Sequence, residues 1–204
     1  MRKGVYEIWL PGGIWIHWTA GRNWSRPAKN RNNYINKINE HLSQIFYEIT
    51  GIDGLKIKYV TNVEINEDED IMYKQLREKI DNNYKKELNY KISLIGPHRD
   101  DFEFILNDKN LAIFGSQGQM RCAVLSLKLA ELKYFCKIDN DYPILLLDDI
   151  FSELDIEKRN NLIKYINDDV QTIITTTDLN LIDKELADKA SIFNIKNAKL
   201  FSRK

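Results

Sequence analysis

Residues 144–149 read Ile144-Leu145-Leu146-Leu147-Asp148-Asp149. Four apolar residues in succession lack the alternation of a half-exposed strand and suit a strand buried in a parallel sheet. Downstream, the residues from Ser152 to about Asn167 read as a helix, and Thr172-Ile173-Ile174-Thr175-Thr176 as a second buried strand. Strand, helix, strand with a crossover of this length implies parallel pairing, hence an α/β fold. Upstream, a long helix follows Gly118, covering Met120 to Lys137, and Phe102, Phe104 and Leu106 alternate as a further strand.

An apolar strand that ends in acids is weak evidence for chemistry by itself, because many parallel strands end on a carboxylate at the sheet edge. In P-loop NTPases the same arrangement is the Walker B element, whose first acid holds Mg²⁺, a hard cation that prefers oxygen ligands. The next acid can polarise an attacking water. One helix earlier stands Gly115-Ser116-Gln117-Gly118-Gln119. Glycines at a helix N-terminus leave backbone N–H groups accessible where the helix dipole favours anions, which suits phosphate oxygens. A plain capped loop has the same composition; the order of the two elements, that of an ABC signature motif followed by Walker B, favours phosphate binding. Ser152-Glu153-Leu154-Asp155 reads as a capping arrangement with Ser152 as N-cap, at the place where ABC heads carry the D-loop. After the last strand, Thr177 occupies the position where such heads usually carry a switch histidine; a hydroxyl can bond a phosphate or water but brings no positive charge.

The N-terminal half has a different texture. Ile35, Ile38, Leu42, Ile45 and Ile49 follow spacings of three and four, which predicts a helix from about Ala28 to Thr50, closed by Gly51. Leu55, Ile57 and Tyr59 alternate with lysines as a half-exposed strand. A second helix is expected from Asp68 to about Asn89, with Tyr73, Leu76, Ile80, Tyr84 and Leu88 on one side. Residues 28–91 therefore form either a helical arm or lobe inserted before the 92–204 part, or an ordinary helical subdomain packed on a sheet. Residues 1–27 hold all four tryptophans, four of nine glycines and two of four prolines. They read as a β-hairpin turning near Gly12-Gly13, or as a segment foreign to the domain, the abrupt change in composition near Ala28 favouring the second.

Lysine plus arginine equals aspartate plus glutamate, 30 against 30, so any nucleic-acid contact has to come from a local patch rather than from net charge. Lys56, Lys58, Lys85, Lys86, Arg203 and Lys204 are the candidates. No stretch is long and apolar enough to predict a membrane span. Cys122 and Cys136 lie on one expected helix, ~21 Å apart at about 1.5 Å rise per residue, so they are read as core thiols of a cytoplasmic protein rather than a disulfide.

With these pieces in order, the sequence resembles the RecF family of SMC/Rad50-like ABC ATPases. The resemblance rests on Leu145 to Lys158 as Walker B and D-loop, with the double aspartate where most ABC ATPases have Asp-Glu. It rests also on Gly96-Pro97-His98-Arg99-Asp100-Asp101, on Phe114 to Gln119, and on Gln171 to Asp178. It covers about residues 92–183 and implies the C-terminal half of an ATPase head. It further implies a cytoplasmic protein of DNA replication, recombinational gap repair and the SOS response. Such proteins bind ATP and Mg²⁺, form ATP-dependent homodimers, bind single-stranded, duplex and gapped DNA, and act with a RecR-type mediator. By the same resemblance Asp148 would hold Mg²⁺ and Asp149 would orient water. Ser116, Gln117, Gly118 and Gln119 would meet the γ-phosphate bound to the opposing subunit, Asp155 would act across that interface, and Thr177 would stand at the switch position. A Walker A string, Gly-x-x-x-x-Gly-Lys-Ser/Thr, does not occur: Gly12-Gly13 and Gly21 lack the Gly-Lys-Ser/Thr that should follow. The chain is therefore expected to be an incomplete head, inactive by itself. The competing expectations are a non-enzymatic fragment or interaction module of the same fold and, fitting less well, a transporter ATP-binding subunit.

Overall fold

The computed structural model describes residues 5–10, 14–19, 25–139, 143–165, 170–197 and 199–203, with side chains from residue 26 onward except at 138, 139 and 201–203. Strands β1 (Val5–Leu10) and β2 (Ile14–Thr19) pair antiparallel, Leu10 opposite Ile14. The pairing agrees with the hairpin reading, the less favoured of the two for residues 1–27, and does not bear on whether the segment is foreign to the domain; Gly12 and Gly13 themselves lie outside the described residues. From Met1 onward the chain divides into two compact units, one of Met1–Glu40 with Lys56–Ile105, the other of His41–Leu55 with Leu106–Lys204.

Helix α1 (Ser25–Thr50) carries Pro27 in its first turn, where a missing N–H costs nothing. It ends at Gly51, whose φ of +72° is open to glycine and whose N–H reaches Tyr47 O at 2.7 Å. Ile38, Leu42, Ile45 and Ile49 of the expected seam are buried, joined by Phe46. Strand β3 (Leu55–Val60) alternates as its sequence predicts, with Leu55 and Ile57 buried and Lys56 and Lys58 exposed. In the first unit the Asn39 amide clamps this strand, donating to Ile57 O and accepting from Ile57 N, both at 2.8 Å.

Helix α2 (Glu69–Tyr90) starts on Asp68, whose carboxylate accepts the Asp70 N–H at 2.8 Å. Its buried stripe is Met72, Leu76 and Ile80, which cluster with Ala28, Val63 and Ile95. The expected stripe was too long: Tyr84 and Leu88 are exposed, because only the first half of α2 contributes to that cluster.

A 3-10 turn at Pro97–Arg99 leads into β4 (Asp101–Leu106). Its last three residues are all buried, so the expected alternation gives way there. Gly96, at φ +137°, opens the turn in a region that side-chain-bearing residues avoid. The Asp100 carboxylate, 3% exposed, is held by the Tyr59 hydroxyl at 2.5 Å and Arg31 at 3.4 Å, while Arg31 also donates to Pro97 O. Arg99 instead donates to Ser93 O at 2.7 Å. The arginine that meets Asp100 is thus Arg31 of α1 and not the neighbouring Arg99.

In the second unit, Asn107 and Asp108 both take positive φ, the two-residue turn that matches strand twist, before β5 (Lys109–Asn110). Then follow α3 (Leu111–Phe114), α4 (Gln117–Asp139), β6 (Leu145–Asp148), α5 (Ile150–Glu153), α6 (Ile156–Ile163) and β7 (Thr172–Thr175). Strands β6 and β7 pair parallel, Leu146 beside Ile173 and Asp148 beside Thr175. Helix α7 (Lys184–Lys189) and an antiparallel pair, β8 (Ile192–Lys196) and β9 (Lys199–Arg203), complete the unit. Phe46, Cys122, Leu129, Phe151 and Leu162 are fully buried in it. Cys136, expected in the core, is only half-buried; Cys122 and Cys136 are both free thiols. Among the described residues no helix is long and apolar enough to cross a membrane.

Candidate functional site

The acids at the end of β6 are arranged by one hydroxyl. Thr175, at the end of the neighbouring strand, donates its hydroxyl proton to the Asp148 carboxylate and accepts the Asp149 N–H at 3.0 Å. The Asp149 N–H also reaches Thr175 O at 3.2 Å. Parallel register makes this possible, because it sets Asp148 and Thr175 side by side. Asp149 turns the chain from strand into α5 with φ +48°, a left-handed conformation that Asp tolerates better than most residues. Both carboxylates are exposed. Thr175 was not singled out in the sequence. Alternation puts residues 175 and 177 on the same side and offers no cue between them; only the strand register sets residue 175 beside the first acid, and Thr177 is exposed and lies beyond the strand end.

Upstream, Ser116 and Gln119 form a reciprocal capping box at the start of α4. The Ser116 hydroxyl accepts the Gln119 N–H at 3.2 Å, and the Gln119 side chain accepts the Ser116 N–H at 2.9 Å. The Ser116 hydroxyl keeps its own proton for an outside acceptor, and the first-turn N–H groups of Gln117 and Gly118 have no partner one turn back in a helix that begins there. The two glycines differ. A Cβ on Gly115 would stand 2.5 Å from Leu111 O, so the fold itself requires glycine. A Cβ on Gly118 would meet nothing nearer than Ser116 Oγ at 4.0 Å, and its φ is not positive. Among the described residues nothing fills the place of its side chain, so no packing contact there calls for a helix-weakening glycine; close approach from outside would.

The Ser152 capping expectation does not hold. Ser152 lies within α5 and bonds Asp149 O at 2.8 Å. The N-cap of the next helix is Asp155, which accepts the Lys158 N–H at 3.0 Å and pairs with the Lys158 ammonium. These bonds, the side-chain one foremost, hold the Asp155 carboxyl below its usual range. Arg121, in the second turn of α4, reaches Glu153 at the end of α5 at 3.3 Å. One ion pair thereby joins the Ser116–Gln119 helix start to the 152–155 segment. Among the described residues no hydrogen bond links Asp148, Asp149 or Thr175 to the capping box.

Among the described residues no group of three or more His, Cys, Asp or Glu side chains could enclose a metal. One carboxylate beside a hydroxyl at a strand end nevertheless fits Mg²⁺, which is usually held by one or two carboxylates together with phosphate oxygens and water. The open space over Gly118 fits a phosphate in the same way. The residues present are compatible with part of a nucleotide site.

No family profile matches the chain. Curated relatives do: it is 42% identical over 174 residues to the DNA replication and repair protein RecF of Clostridium botulinum (strain Eklund 17B), covering 85% of this chain and 47% of that one. It is 38% identical over 170 residues to RecF of Listeria monocytogenes (serotype 4b, strain CLIP80459), covering 82% and 46%. A solved structure of the recombination mediator protein RecF with ATPrS matches 89% of this chain and 47% of its own, at 28% identity and a TM-score of 0.73. The chain spans about half the length of the relatives it matches. By sequence and fold alike, this chain is similar to the C-terminal half of the RecF proteins.

Proposed function

We propose that this chain supplies the signature, Walker B and D-loop side of the ATP-binding head of a RecF-type DNA replication and repair protein. The Thr175-bridged pair Asp148–Asp149 at the end of a parallel strand, one helix after a capped Ser116–Gln119 turn, carries the reading. In a complete site Asp148 ligates Mg²⁺, Asp149 orients water, and Ser116, Gln117, Gly118 and Gln119 meet the γ-phosphate. Asp155 and Thr177 border that phosphate from the D-loop and from the end of β7. Mg²⁺, when bound, neutralises phosphate charge as the terminal phosphoryl group is transferred. The chain's own share is positional: Thr175 fixes the Asp148 carboxylate, the left-handed turn at Asp149 sets the second acid, and Arg121–Glu153 ties the helix start to the D-loop. ATP-dependent homodimers, a RecR-type mediator, gapped DNA, the SOS response and a cytoplasmic setting belong to the same proposal. It is supported by relatives named for DNA replication and repair and by solved RecF structures with ATP and ATPrS.

A chimera tests it. The N-terminal half of Clostridium botulinum RecF joined to residues 28–204 of this chain is expected to hydrolyse ATP slowly and to lose turnover in Asp149→Asn. Asn also tolerates left-handed backbone, so that variant removes charge without adding strain. The 204-residue chain alone is expected to hydrolyse none. A folded chimera without hydrolysis favours the non-enzymatic reading, and micromolar ATP binding with Asp149-dependent turnover by the chain alone overturns the half-site reading. None of the relatives above bears a transporter's name, so the transporter reading gains no support from them.

A further inference from the structure

We infer that Thr175 determines which divalent cation the Asp148 site accepts, favouring Mg²⁺ over Ca²⁺ by leaving Asp148 one oxygen rather than two. The inference rests on the half-head reading above, from which an ion at Asp148 follows. Thr175 donates its hydroxyl proton to Oδ1 of Asp148, and among the described residues no hydrogen bond or ion pair reaches Oδ2. The hydroxyl is held from both sides. Its oxygen accepts the Asp149 N–H at 3.0 Å, so its single proton is directed elsewhere, and the parallel register sets Asp148 beside it. Thr175 is also stiff, being β-branched, and its carbonyl oxygen accepts the same Asp149 N–H at 3.2 Å. One carboxylate oxygen is therefore turned to the neighbouring strand, and the other is left for an ion or for a water on it.

The two ions ask for different things. Ca²⁺ takes about six to eight oxygen ligands and often both oxygens of one carboxylate, whereas Mg²⁺ is octahedral, keeps several waters and needs only one or two carboxylates. A carboxylate with one oxygen engaged by a hydroxyl meets the second demand and not the first. Among the described residues no group of three or more His, Cys, Asp or Glu side chains could enclose a metal, so no acidic cage makes up the missing oxygen. Capping alone does not explain the residue. The Asp149 N–H needs only an acceptor, and Thr175 O already serves; the donated proton is the part that acts on Asp148. Valine suits a strand equally well, so what threonine adds at this position is the hydroxyl.

The chimera described above tests this, held in excess over a non-hydrolysed ATP analogue, with Mn²⁺ as the spectroscopic probe. Binding removes the sharp electron paramagnetic resonance signal of free Mn²⁺, and Mg²⁺ or Ca²⁺ added as competitor restores it. The ratio of the Ca²⁺ to the Mg²⁺ concentration at half displacement measures the preference without turnover. Thr175→Val is expected to lower that ratio by roughly threefold or more, as Ca²⁺ gains the second oxygen. Thr175→Ala, which also lacks the hydroxyl, is expected to lower it too, and serves if the valine chain does not fold. Thr175→Ser can make both bonds and keeps the parent ratio. So does Thr172→Val, which removes a hydroxyl bonded to Val170 O from the other end of β7. A merely structural loss weakens both ions alike and leaves the ratio unmoved. An unchanged ratio in folded Thr175→Val or Thr175→Ala, or an equal shift in Thr175→Ser, overturns the inference. If the parent chimera holds no Mn²⁺ beside the nucleotide, the half-head reading falls and takes this inference with it; Mn²⁺ binding with an indifferent ratio removes only the role of Thr175.

Discussion

Gly118 stands in the first turn of α4 with open space where a Cβ would go, while Gly115, three residues earlier, has Leu111 O in that place. The two glycines should therefore respond oppositely to one added methyl group. Gly118→Ala is expected to raise the stability of the chain by roughly 0.5–1 kcal/mol, the usual helix advantage of alanine. Gly115→Ala should lower it, because the contact is with backbone that cannot swing aside. Urea denaturation of both variants checks this, and a Gly118→Ala chain less stable than its parent would mean that the glycine serves the fold after all. At this scale the sequence showed the identity of the site better than its wiring. Asp148 and Asp149 stood out because two acids close an apolar run. Thr175 did not, since a threonine in a β-rich stretch looks like any strand residue until register sets it beside Asp148. Ser116 and Gln119 were read for phosphate, with a plain helix cap as the alternative; the cap is present, and only its reciprocal form, which the Ser-x-x-Gln spacing signals, was not read.

Among the elements, the 93–100 turn is tied down from outside itself. Glu87 on α2 accepts the N–H groups of Leu94 and Ile95 at 2.6 and 3.2 Å, and Tyr59 on β3 donates to Asp100. Burial, then the hydrogen bond to Asp100, raises the Tyr59 phenol to about 12. An unfolded tyrosine ionises near 10, so between pH 10 and about 12 the folded chain keeps a proton that the unfolded chain releases. Stability from this bond is thus complete below about pH 10 and lost as pH rises toward 12. Tyr165, also raised by burial and by its bond to Glu48, adds to the same alkaline loss. Urea titrations across pH 9 to 12 should show a shallower alkaline decline in Tyr59→Phe than in the parent; equal slopes would exclude the Tyr59–Asp100 bond as a contributor. Periodicity foretold α1, α2 and β3 because each buries a regular stripe; the β6–β7 pairing was foretold from two apolar runs, of which only Leu145 and Leu147 are buried, so the expectation of two fully buried strands fails. Periodicity overextended the stripe of α2 and missed α3 and α5, since helices of four residues are too short to display a period.

At the scale of the molecule, equal numbers of acidic and basic residues mean that any DNA affinity has to come from local patches. Lys56 and Lys58 are exposed on one side of β3, and Lys85 and Lys86 are exposed on α2; the side chains of Arg203 and Lys204 lie outside the described residues. If the β3 lysines meet phosphates, replacing both with Gln should flatten the slope of log affinity against log salt by about 1.8 for duplex DNA, at roughly 0.9 per lost contact. Fluorescence anisotropy over 50 to 200 mM salt measures it, and an unchanged slope removes these two lysines from the DNA surface.

The exposed aliphatic side of β6 and β7 also bears on the economy of the cell. A polypeptide that presents Ile144, Leu146 and Ile173 to water offers chaperones and proteases the kind of surface by which they sort unfinished chains. Its abundance would then be set as much by clearance as by synthesis.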